Sequence, residues 1–125
     1  MVDIDTFQSM ADEIAENLPE QFFRKLNGGI ILHESARLHP ESRAEAPLYI
    51  MGEYCRSSVG RCINLYYGSF TGSYPRYEGE EMRREIEKTL LHEFRHHLEW
   101  LSGTDELEKE DAAQLAAYRQ KHGII

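Results

Sequence analysis

The sequence has little cysteine: two residues in 125, Cys55 and Cys62. That scarcity excludes a disulfide-stapled secreted scaffold and a four-cysteine zinc ribbon. In a reducing compartment the pair is expected as two free thiols, with a cross-strand disulfide as the lesser alternative. The chain also lacks a long apolar run, since nothing in it approaches the roughly 18 residues that a membrane helix needs. Positive charge is in deficit, with 14 Lys and Arg against 22 Asp and Glu and a formal charge of -8. Binding along a phosphate backbone needs clustered positive charge, so no nucleic-acid partner is expected. The same deficit argues against an anionic membrane surface. The first residues, MVDIDTFQSMADE, are acidic where a secretory signal needs a basic start and an apolar stretch. The expected location is the cytoplasm.

The core material is sufficient. Hydrophobic residues make up 41%, with seven Tyr, five Phe and one Trp, which argues against disorder and for one domain over residues 1–125. Phe7, Met10, Ala11, Ile14 and Leu18 recur at helical spacing. Asp5 and Gln8 match a capping box at the start of that helix. Pro19 suits the first turn of a second short helix, PEQFFRKL, which Asn27-Gly28-Gly29 ends. The runs GIILHESARLH, LYIMGEYC and CINLYYGSF are rich in Ile, Leu and Tyr and are separated by breakers. They read as a small sheet of about three strands, the last two forming a hairpin. From about Gly79 to Leu101 the pattern is helical again, with Glu80 and Glu81 in the first turn and Gly103 as C-terminal cap. A last helix is expected from Thr104 or Asp105 to about Lys121. Helices, then strands, then helices make a single α+β domain.

The third helix carries the chemistry. His92-Glu93-Phe94-Arg95-His96 is an H-E-x-x-H pattern. Residues four apart share a helix face, so His92 and His96 can hold one metal ion. Zinc (Zn2+) accepts neutral imidazole nitrogen, and catalytic zinc sites usually keep three protein ligands and a water. Glu93 flanks the pair and is the candidate general base. Leu90, Leu91, Phe94, Leu98 and Leu101 fall on one side of the helix and the two histidines nearly opposite, so the stripe can enter the core while the imidazoles face a cleft.

The stretch HEFRHH, after an acidic helix and a short sheet, resembles the small bacterial zincin-like metallopeptidases sometimes termed minimal zincins. The resemblance covers most of the chain. It implies a zinc-dependent hydrolase that cleaves peptide bonds in a peptide or protein substrate, with His92 and His96 as ligands and Glu93 as base. His97 matches the family's doubled histidine and is expected in the shell behind the metal or in packing. Such proteins continue as H-E-x-x-H-x-x-G-x-x-D, the glycine breaking the helix so that the aspartate returns to the metal. Here Glu99 stands at the glycine position and Ser102 at the aspartate position, while Gly103 and Asp105 follow later. Asp105 is therefore the favoured third ligand.

Asp105 has a competing role, because Asp105 and Glu108 fit a capping pattern for the last helix. Glu99 is a rival ligand because it lies on the histidine stripe. Glu108 and Asp111 are further rivals. His33 and His39 have no partner at ligand spacing and read as structural or surface residues. Tyr66, Tyr67, Tyr74 and Tyr77 are weighed as oxyanion donors, with core or loop anchoring the more ordinary role. Arg95 reads as a salt-bridge partner before a substrate clamp. A substrate peptide pairing along a strand edge would find its candidate in Cys62–Phe70. The alternative function is a non-catalytic zinc-binding structural or protein-interaction module, in which a fourth protein group closes the metal site. A metal-free interaction domain is the third reading.

Overall fold

The computed structural model describes residues 1–58 and 60–103. The expected last helix lies outside the described residues. Helix α1 spans Ile4–Glu16 and buries Phe7, Met10, Ala11 and Ile14, as the spacing predicts. Its cap is Asp3 and not Asp5: the Asp3 carboxylate accepts from the Thr6 backbone amide at 2.7 Å, so the helix starts two residues earlier. Pro19 precedes a single 3-10 turn, Glu20–Phe23, which buries Phe22.

Five strands follow: β1 (Gly29–His33), β2 (Arg37–Leu38), β3 (Tyr49–Ile50), β4 (Gly52–Ser57) and β5 (Gly60–Tyr66). The three-stranded sheet has the order β1-β5-β4, with β1 parallel and β4 antiparallel to β5. Strands β2 and β3 form a separate antiparallel pair. The hairpin reading of the last two runs is correct. The extent of the second run is not, because Tyr67–Ser73 is helix α2 rather than strand. The placement of a peptide on Cys62–Phe70 fails for a further reason: β5 is the central strand, and both of its edges are already paired.

Strand alternation sorts the sheet into two faces. Ile63 and Leu65 of β5 are fully buried. Gly52 and Tyr54 stand opposite Leu65 and Ile63 and share their face. Helix α3, Gly79–Ser102, covers this face and buries Met82, Ile86, Leu90, Leu91, Phe94, Leu98 and Leu101. Phe94 is packed by Phe22 and Phe23, with ring centroids 5.6 and 5.2 Å away. The Phe7 ring meets Phe70 and Tyr67 edge-on at 4.9 and 5.4 Å, which joins α1 to α2.

Strand β4 and helix α3 run side by side in the same direction. A Cβ on Gly52 would meet Thr89 Cγ2 at 2.9 Å. Two residues on, Tyr54 Oη lies 2.7 Å from His97 Nδ1. At the far end of the hairpin the Arg61 guanidinium lies 3.6 Å from the centroid of the Trp100 ring. From Gly52 to Tyr54 the strand rises about 7 Å while from Thr89 to His97 the helix rises about 12 Å, and the long Tyr54 side chain spans the difference. The turn that bears H-E-x-x-H-H therefore lies along the outer edge of β4, which no strand pairs among the described residues.

Candidate metal centre and the cleft beside it

His92 and His96 are exposed on consecutive turns of α3, and Glu93 between them is buried, with 7% of its surface exposed. The imidazole centroids are 5.2 Å apart and the rings nearly perpendicular, at 89°. Two imidazoles sharing one tetrahedral zinc, with Zn–N near 2.0–2.1 Å, hold their centroids about 5 Å apart. The pair thus fits two positions of one ion. Among the described residues no group of three His, Cys, Asp or Glu converges on a metal position.

Glu99, the rival third ligand, instead accepts from Arg95 Nε at 3.1 Å, one helical turn away. Arg95 accordingly acts as the ion-pair partner that its spacing suggests. Asp105, Glu108 and Asp111 lie outside the described residues.

Burial raises the Glu93 carboxyl above its ordinary value of 4.5, because desolvation penalises the charged form. The nearby His92 and His96 and a hydrogen bond from the Tyr54 backbone amide oppose the shift. That amide sits on the edge of β4 facing away from β5. Glu93 and His92 also line a cleft of about 360 Å³, walled by Ile50, Met51 and Gly52 on one side and by Glu85, Lys88 and Thr89 of α3 on the other. Tyr74 lines it as well. The motif thus opens on a groove between the helix and the outer edge of β4, which no strand pairs among the described residues.

His97 turns the other way. It has no exposed surface, and its Nε2 lies 2.7 Å from the Arg24 carbonyl oxygen. A carbonyl only accepts, which assigns the proton to Nε2 and leaves Nδ1 to accept from Tyr54 Oη at 2.7 Å. Arg61 Nη1 donates to the same phenol oxygen at 3.0 Å. Burial lowers the His97 pKa from 6.5, so the ring is neutral at pH 7. His97 braces α3 against β4, in keeping with the packing role weighed for it.

Of the four tyrosines weighed as oxyanion donors, Tyr74 reaches the cleft. Tyr66 donates to Glu53 Oε1 at 2.7 Å and Tyr67 to the Val2 carbonyl at 2.5 Å. Tyr77 stacks on Tyr74 at 4.6 Å. His33 bonds Asn64 Oδ1 at 2.9 Å, and His39 Nδ1 accepts from the Glu41 amide at 3.1 Å, so both are structural as expected. What the sequence reading missed is that β4, and not the Cys62–Phe70 run, borders the histidine helix. Its signal was Gly52, since a glycine inside a strand often marks the close approach of another element.

No family model matches the chain, and no curated protein matches it significantly. The chain is similar to a solved structure, the conserved hypothetical protein TTHA0227 from Thermo thermophilus, with 33% sequence identity and a TM-score of 0.68. The likeness covers 81% of this chain and 98% of that one. At that identity and coverage, the chain belongs to the same family as the Thermo thermophilus protein.

Proposed function

We propose that the protein is a zinc-dependent hydrolase that cleaves peptide bonds, with His92 and His96 as metal ligands and Glu93 as general base. The observation that carries this reading is the pairing of two exposed imidazoles at ion-sharing distance with a buried carboxylate on the same cleft. Zinc bound there would supply a Lewis acid and make water acidic enough to react near neutral pH.

The chain's own residues divide the remaining work. Glu93, raised by burial, takes a proton from water at its carboxylate and returns it to the leaving amine. The outer edge of β4, which no strand pairs among the described residues, would offer backbone groups to an extended peptide as an added strand. The cleft lined by Ile50, Met51, Tyr74, Lys88 and Thr89 would take a substrate side chain. Asp105 completes the ligand set in this reading. A closed structural zinc site fits less well, because the imidazole pair stands beside an open cleft.

Elemental analysis of protein purified without a metal-affinity step tests the proposal. About one equivalent of zinc is expected, lost in His92→Ala and His96→Ala and weakened in Asp105→Ala. Glu93→Gln should keep the metal and lose turnover on a protein substrate by about 100-fold or more, the usual scale for a general base. Zinc that neither copurifies nor binds on titration would defeat the proposal.

A further inference from the structure

The face of the sheet turned away from α3 carries a second set of reactive side chains, which the zinc proposal does not use. Cys55 of β4 and Cys62 of β5 are directly opposed in the antiparallel register. Their sulfurs are 3.4 Å apart and both are reduced. Opposed residues of an antiparallel pair have Cα atoms about 4.5–5.5 Å apart, within the range a disulfide spans. Joining them needs only side-chain rotation, to bring the sulfurs to about 2.0 Å.

The surroundings favour reaction over burial. On the β1 side, Cys62 is flanked by Gly28 and Gly29, which put no side chain over it. Gly29 stands at its register position, and a Cβ there would find nothing within 4 Å. Cys62 is half-buried, and because a Cβ on Gly28 would meet its Cβ at 2.7 Å, glycine there keeps side-chain atoms off that flank. On the other side Asn64 Nδ2 donates to Cys55 Sγ at 2.9 Å, while its Oδ1 is held by His33 Nε2 at 2.9 Å. That amide donates to Cys55 Sγ, and across the 3.4 Å between the sulfurs either thiol can donate to the other. Burial, Cys62 and Glu53 push the Cys55 thiol up to about 11, leaving it protonated at neutral pH.

We propose that Cys55 and Cys62 are a reversible redox pair, oxidised to a cross-strand disulfide by small-molecule disulfides of the glutathione type. The Cys62 thiolate attacks one sulfur of the external disulfide, whose S–S bond breaks and releases one thiol. Cys55 Sγ then attacks the Cys62 sulfur of the mixed disulfide, gives its proton to solvent and expels the second thiol. The two cysteines lose two electrons in all, and the external disulfide is reduced to two thiols. The bond clamps the hairpin one residue from Tyr54, the residue whose amide faces Glu93.

The test equilibrates the reduced full-length protein in graded mixtures of reduced and oxidised glutathione, followed by acid quench, alkylation and intact mass. The expected product lacks two hydrogens, carries no alkyl group and reverts under excess reduced glutathione. Cys55→Ser should stall as a lasting glutathione adduct on Cys62. Cys62→Ser should form its adduct more slowly, since the burial that opposes a Cys55 thiolate remains when Cys62 is gone. Two alkylatable thiols in every mixture, or persistent adducts in the wild type, would overturn the redox pair. Equal adduct rates in the two variants would overturn the order of attack. Circular dichroism of each variant separates these outcomes from misfolding, and none depends on zinc or turnover.

Discussion

Tyr54 on β4 donates its phenol proton to His97 Nδ1 on α3 across 2.7 Å, and Arg61 Nη1 reaches the same oxygen at 3.0 Å. The hydroxyl thus ties the strand edge of the cleft to the helix that bears the histidines. Tyr54→Phe keeps the ring and removes both bonds, leaving a buried ring nitrogen without its donor. A loss of about 1–3 kcal/mol is expected for an orphaned buried acceptor. Urea denaturation would show it as a lower midpoint at unchanged slope. An unchanged midpoint would mean that the phenol bond contributes nothing net.

His97 also makes stability depend on pH. Its folded pKa lies below the ordinary value of 6.5 because burial opposes the charge. Below about pH 6.5 the unfolded chain therefore binds a proton that the folded chain does not. Stability rises with pH wherever the unfolded state binds more protons. The contribution is complete above that pH and declines as the pH falls through it. His97→Gln removes the titrating group, so the stability gap between wild type and variant should narrow from about pH 8 to about pH 5. A gap that stayed constant would mean that His97 titrates alike in both states.

Much of this was legible in the sequence. The stripes Phe7-Met10-Ala11-Ile14 and Leu90-Leu91-Phe94-Leu98-Leu101 are buried as their spacing requires, because helical periodicity alone decides which side is apolar. The exposure of His92 and His96 follows from the same arithmetic. Strand order was not legible: β5 is central because β1 pairs with it in parallel across a long connection, and no local signal encodes that partnership. The aromatic run YYGSF reads as strand by propensity, yet Tyr67 begins a helix and Phe70 is drawn into the cluster with Phe7. Tertiary packing outweighs β propensity there. Asp3 displaced Asp5 as cap although only Asp5 has a Gln three residues on, because an aspartate needs only a backbone amide to cap, which Thr6 supplies to Asp3 at 2.7 Å.

Gly52 sets the width of the cleft. A Cβ there would lie 2.9 Å from Thr89 Cγ2 and 3.1 Å from the Asn64 carbonyl oxygen. The Thr89 methyl belongs to a stiff β-branched side chain and the carbonyl to the paired strand, so Gly52→Ala must push β4 away from α3. A cost of about 1–3 kcal/mol is expected, as for other overpacked sites. Thr89→Ser removes the offending methyl and should recover part of that loss in the double variant. Zinc content should stay unchanged throughout, because His92 and His96 both come from α3. Additive effects of the two substitutions would place the strain elsewhere.

Zinc binding should itself stabilise the fold, and the pattern among variants identifies the ligands without any assay of turnover. A ligand that binds only the folded chain adds about 2.7 kcal/mol when its free concentration is about a hundred times Kd. Thermal unfolding of the stripped protein should therefore move to higher temperature as zinc is added, with Glu93→Gln shifting as far as the wild type. His92→Ala and His96→Ala should each lose the shift, since each removes one of two imidazoles whose centroids are 5.2 Å apart. Glu99→Gln should retain it, because that carboxylate pairs with Arg95 at 3.1 Å. Asp105→Ala should reduce it if Asp105 is the third ligand. A full shift in Asp105→Ala together with a lost shift in Glu99→Gln would transfer that role to Glu99 and require the Arg95 pair to open on binding. A full shift in His92→Ala would remove the metal centre from α3 altogether.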